Sequence, residues 1–203
     1  MNRQIFAAAA GIALLLCLAG CSEPASTEVV YGASYPDYAS MQDLAANASV
    51  VVRATLQASV VEEGDNSAAP QPTDAPTGVL TVAPISDASP EAAPSDTSTI
   101  SMVYTVFTFR INECFKGCDS KTGSISVAQL GGQLDGVTYV FRSAVDFAEN
   151  QSYVLFLSKV DNQPAELLNP QQGAYLGDST GSALNPDNPW KMTPNQLSQL
   201  FTS

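Results

Sequence analysis

The sequence predicts a mainly β protein, with five strands, short flanking helices, and an export signal and tether ahead of them. Three observations carry this. Five stretches rich in Val, Ile, Thr, Phe and Tyr alternate, or run apolar, over strand lengths. Gly, Asn, Asp and Pro punctuate the spaces between them. Helix-start signals occur in two places, before Met41 and before Pro194.

The N-terminus comes first. Arg3 precedes an apolar run from Ile5 to Ala19, too short for a comfortable bilayer span. Leu18-Ala19-Gly20-Cys21 closes it and resembles a bacterial lipoprotein lipobox. By that resemblance residues 1–20 are a cleaved signal peptide and Cys21 carries a diacylglycerol. Each buried acyl methylene is worth about 0.8 kcal/mol, so two long chains hold a protein at a bilayer face. The expected location is the extracytoplasmic face of the cell membrane, with the lipid on Cys21 as the membrane partner. Residues 21–34, polar with Pro24 and Gly32, read as a tether, and residues 35–203 as the folded domain.

Within that domain, Ser40 followed by Asp43 predicts a capped helix over Met41–Asn47 with Leu44 inward. The first strand is Ser49–Val61, where Val50, Val52, Ala54 and Leu56 share one face. Residues 62–99 contain six prolines and seven acids but no Lys, Arg or aromatic residue. Such a composition buries too little apolar surface to offset ordering and predicts a disordered acidic loop. The second strand, ISMVYTVFTFRIN, is apolar on both faces and belongs where a sheet is covered on each side. Ser124–Gly132, Val137–Phe147 and Gln151–Val160 supply the third, fourth and fifth strands. Thr193-Pro194-Asn195-Gln196 then opens a helix through Phe201.

In this order, Ala48–Ala54, Arg110–Gly117, Ile125–Gly132 and Phe147–Leu157 are similar to the netrin-like fold shared with tissue inhibitors of metalloproteinases. The resemblance implies a small five-stranded Greek-key barrel of the oligonucleotide/oligosaccharide-binding (OB) type, flanked by short helices. The family's protease-inhibiting chemistry does not carry over. It uses a disulfide-linked N-terminal cysteine that chelates the protease zinc, whereas Cys21 takes the lipid, and the family's several disulfides are missing.

The chain has four cysteines. Cys17 leaves with the signal and Cys21 is acylated, so Cys114 and Cys118 are the free pair, in a compartment where disulfides persist. A metal site would need further Cys or His ligands, and a redox pair is more typically Cys-x-x-Cys. In an extended strand residues four apart lie about 13 Å apart, so a bond between these two demands a turn. Lys116-Gly117 sits where such a turn is wanted, and the pair reads as a structural disulfide.

Composition then narrows function. Removing residues 1–20 takes one of the eight Lys and Arg and none of the twenty acids, leaving a net charge near −13. Nucleic acid is a poor partner for such a surface. The chain has no histidine, so Ser-His-Asp and Cys-His catalysis are excluded, and no metal or cofactor motif is present. Asp119, Asp135, Asp146, Glu149, Asp161, Asp178 and Asp187 read as turn residues rather than catalytic acids. The reading is a non-enzymatic binding module for a protein or glycan partner, without a catalytic residue. Trp190 and Tyr175 are the candidate ligand contacts, among aromatics that include Tyr104, Tyr139, Phe141 and Tyr153. Two alternatives stand beside it. A carboxylate-based cell-wall glycan hydrolase requires two acids spaced across a cleft. A solute-binding lipoprotein requires two lobes, for which 183 residues are short.

Overall fold

The computed structural model describes residues 27–65, 101–118 and 123–201. The signal at 1–20, Cys21 and residues 66–99 of the acidic segment lie outside the described residues. In chain order the elements are β1 (Thr27–Tyr31), α1 (Met41–Asn47), β2 (Val50–Asp65), β3 (Ser101–Lys116), β4 (Ser124–Leu130), β5 (Gly132–Leu134), β6 (Val137–Phe141), β7 (Ser152–Ser158), β8 (Ala165–Leu167), β9 (Ala174–Leu176) and α2 (Pro194–Phe201). The protein is mainly β, in two sheets. Six strands run in the order β2-β3-β4-β8-β7-β9, with β2 also paired to β7, and three run in the order β1-β6-β5.

Both helices begin as their sequences specify. Ser40 is extended at the N-cap of α1 and its Oγ accepts from Asp43 N at 3.1 Å, while the Asp43 carboxylate accepts from Ala39 N at 3.2 Å. At α2 the Thr193 Oγ1 accepts from Gln196 N, and Gln196 Oε1 accepts from Thr193 N at 2.9 Å. Pro194 fills the first helical position, where no amide donor is needed.

Three apolar clusters divide the interior. Val52, Ala54, Leu56, Phe109, Val127, Tyr153, Leu155, Leu157, Ala165 and Leu167 form the centre of the larger sheet. On its far side the alternate residues Val51, Val154 and Phe156 meet Leu44 of α1 and Leu197 of α2. Tyr31, Met102, Tyr104 and Phe141 join the two sheets. The two-faced pattern of β3 is thereby explained: Phe107 and Phe109 enter the first cluster, and Met102 and Tyr104 the third.

Nine strands stand among the described residues where the sequence predicts five, and several boundaries differ for tertiary reasons. Thr27–Tyr31, placed in the tether, is a strand lying parallel to β6, because Val29 and Tyr31 find apolar partners there. Glu62–Asp65, placed in the acidic loop, continue β2 because Ser101–Tyr104 supply a ladder partner. The strand expected over 137–147 stops at Phe141, in the smaller sheet, where Ala144 N turns back to Phe141 O at 3.0 Å. Val145 still docks on the larger sheet, its N–H and carbonyl held by the Gln129 amide at 2.8 and 3.2 Å. The larger sheet instead uses Ala165–Leu167, three residues in a stretch rich in Pro and Asn, too short for periodicity to reveal.

Candidate functional site

The site begins where two strands part. β4 and β8 run parallel but pair only at Val127–Ala165 and Ala128–Glu166. Pro164 has no amide donor, so the ladder ends there, and the chain ahead of it turns away through Asn162 at φ 64°. Ser124–Ser126 and Asn162–Pro164 therefore frame an opening. Between them lies a cleft of about 350 Å³, a volume at the lower end of that used for small ligands.

Its floor is apolar, from Val50, Ile111, Ile125 and Ala165. Its rim carries the hydroxyls of Ser124 and Ser126, the amide of Asn162 and one cation, Lys159, with no carboxylate among the lining residues. Ser49 positions this rim: its Oγ accepts from Lys159 N at 2.7 Å and donates to Leu157 O at 3.1 Å. An apolar base with neutral donors and a single positive charge suits an oxygen-rich or carboxylate-bearing ligand.

The remaining wall is the cysteine turn. Cys114 and Cys118 are disulfide-bonded, with Cα atoms 6.1 Å apart. An extended strand cannot bring them so close, and two features do. β3 is irregular between Cys114 and Lys116, which pair with adjacent Val52 and Val51, so Phe115 is extra. Gly117 then takes φ 66°, and a side chain there would drive its Cβ into the Ser49 carbonyl. Lys116 holds the turn from the other side, donating to Ala45 O and Ala46 O, each at 2.8 Å. Those carbonyls belong to the last turn of α1, where a cation is favoured.

The aromatic candidates are elsewhere. Tyr175 is fully buried between Phe156 and the Asn188 side chain, so it presents no ring to a ligand. Burial pushes its hydroxyl up to about 12. Tyr104, Phe141 and Tyr153 are also core residues. Trp190 is half-buried and packs on the cluster of Tyr175, Met192 and Leu197, pinning the C-terminal segment. Cys21 lies outside the described residues. Among the described residues no group of three His, Cys, Asp or Glu side chains could hold a metal ion, and no helix is long and apolar enough to cross a membrane.

One acid stands out that the sequence reading passed over. Glu166 lies on the opposite side of β8 from Ala165 and Leu167, in a crevice with Tyr35, Ala128, Gln129 and Phe147. Burial raises its carboxyl to about 8, and burial with the nearby Glu166 also pushes the Tyr35 hydroxyl up. The only hint in the sequence is its place between apolar neighbours in PAELL. The crevice has about 10 Å³ of free space, no more than one water occupies. Asp178 shows the opposite case. Hydrogen bonds from Thr180 hold its exposed carboxylate below the usual range, an ordinary turn arrangement.

No family model, curated protein or solved structure matches the chain.

Proposed function

We propose that this protein is a lipid-anchored, extracytoplasmic binding module that takes a short glycan or peptide segment in the cleft between β4 and β8. The cleft is the observation that carries the reading: a concave, apolar floor with neutral donors and one lysine at its rim. The Leu18–Cys21 motif supports the anchor and the extracytoplasmic location. The pairings β2-β3-β4-β8-β7 return to β2, with β4–β8 parallel, which supports an OB-type ring and the netrin-like resemblance.

The hydrolase alternative has Glu166 as its best acid, since a carboxyl near 8 stays protonated at neutral pH. A crevice of about 10 Å³ admits no sugar ring, and desolvation rather than a second carboxylate raises this group. The geometry therefore favours binding at the cleft over acid catalysis at the crevice.

Two measurements test the proposal. In cell fractionation, Cys21→Ala is expected to move the protein from the membrane to the soluble fraction, and retention on the membrane rejects the anchor. The released protein is then titrated with soluble disaccharide-peptide fragments of peptidoglycan while amide NMR shifts are followed. Shifts are expected to cluster at Ile125, Lys159 and Asn162 and to shrink in Lys159→Glu. Shifts centred on Trp190, or none, reject the cleft.

A further inference from the structure

The start of β1 and the cleft lie near opposite ends of β4. β4 is seven residues long, which at about 3.3 Å per residue separates its ends by about 20 Å. The cleft opens at its first three residues, Ser124–Ser126. From its other end, Leu130, the chain passes through Gly131 directly into β5 and the smaller sheet. β1 is an edge strand of that sheet, with Thr27 opposite Val137 and hence beside the Asp135–Gly136 turn. Exposure falls along β1 from Thr27 and Glu28 to buried Tyr31, so the strand enters the fold from the outer tip of the sheet.

The segment is fastened as soon as it enters. Tyr31 accepts from Val103 N at 3.0 Å and stacks on Tyr139 at 5.8 Å. Farther on, Asn169 donates to Pro36 O at 2.9 Å, and the Gln172 amide pairs with both the N–H and the carbonyl of Tyr38. Thr27 is six residues beyond Cys21, and at 3.3–3.6 Å per residue the chain between them spans at most about 22 Å. The domain thus begins far closer to the acylated cysteine than a tether through residue 34 allows.

We infer that the outer tip of the smaller sheet, built from the start of β1 and the Asp135–Gly136 turn, is the face this protein presents to the bilayer, and that the cleft points away from it. The inference rests on acylation of Cys21. Its partner is the phospholipid surface in which the acyl chains sit. The tip carries exposed Glu28 and Asp135, so it stands against the headgroups, held by the acyl chains, and does not insert. A ligand then reaches the cleft from the side facing away from the membrane.

Energy transfer to a headgroup-labelled lipid tests this on the full lipidated chain, reconstituted into phosphatidylcholine vesicles with the disulfide intact. A donor is placed through Glu28→Cys in one preparation and Asp161→Cys in another, both at exposed positions. Transfer from position 28 is expected to exceed that from position 161 by about twofold or more, given the length of β4. A long Gly/Ser insertion between Ser26 and Thr27 is expected to reduce transfer at position 28 and narrow the difference. Equal transfer, or greater transfer at 161, from vesicle-bound protein overturns the orientation and leaves the anchor standing. If Cys21→Ala protein still binds the same vesicles, the anchor fails and the orientation with it.

Discussion

The β2–β3 seam joins two sixteen-residue strands and is closed along its length, whereas the β4–β8 seam meets a three-residue strand and is barely joined. β2 and β3 pair at fourteen positions, from Val51–Lys116 to Asp65–Ser101. β4 and β8 pair at two. The long seam is backed by an aromatic cluster in which Phe109 meets Phe147 and Tyr153 edge-on at 5.2 and 6.2 Å. The short seam is flanked by Pro164 and the Ser124–Ser126 segment, and there the cleft opens. Stability and access have been assigned to different edges of one sheet. The cleft opens where Ser124–Ser126, paired to β3 along one edge, have no strand partner among the described residues along the other.

The sharpest way to break this contrast is to remove the support of the long seam. Phe109 is fully buried, and Phe109→Ala is expected to lower stability by about 3–5 kcal/mol, measured by denaturant unfolding. A loss below about 1 kcal/mol is incompatible with its place at the centre of the cluster.

Next in size is the carboxyl at the short seam. Glu166 has a folded value of about 8 against an ordinary 4.5, so the folded protein binds a proton that the unfolded chain has released. Stability is therefore expected to fall by several kcal/mol as pH rises from about 4.5 to about 8, and to level off above that. Glu166→Gln is expected to flatten this slope. An unchanged slope in unfolding midpoints against pH shows that another group governs it.

Smaller is the disulfide beside the cleft. Closing so short a loop contributes about 2 kcal/mol, and Cys114→Ser with Cys118→Ser is expected to cost no more than that. Because Cys118 lines the cleft, the same variant is expected to weaken binding of the peptidoglycan fragments, read in the NMR titration. Unchanged binding shows that the turn is held by Lys116 and Gly117 without the bond.

The smallest expected effect is at the C-terminal helix, which packs through Leu197 and Phe201 on Val51 and Phe115 of the long seam but contributes no residue to the cleft. Thr193→Ala removes the α2 cap and is expected to cost about 1 kcal/mol in thermal unfolding, with fragment binding unchanged. A loss of binding there shows that the helix reaches the cleft.

The helices and the long strands were legible in the sequence because their signals are local. Ser40 with Asp43, Thr193 with Gln196, and the alternation of Val103, Thr105, Phe107 and Phe109 all act within a few residues. The disulfide was legible too, since distance along a strand and the Lys116-Gly117 turn both constrain it. The candidate site was not. Its residues come from five separate segments, Val50, Ile111, Gly117–Cys118, Ser124–Ser126 and Lys159–Ala165, and none carries a motif. Aromatic content pointed instead to Tyr175, which the fold buries, because a large ring contributes more in a core than on a surface.

The sequence by itself determined the mainly β class, the two capped helices and the cysteine turn, since backbone propensity and capping are properties of neighbouring residues. The tertiary structure alone decided which strands share a sheet, that Thr27–Tyr31 is part of the fold, and that β4 and β8 part to leave a cleft. Those outcomes depend on ladders between residues more than thirty positions apart, where partner, register and the missing amide of Pro164 act together.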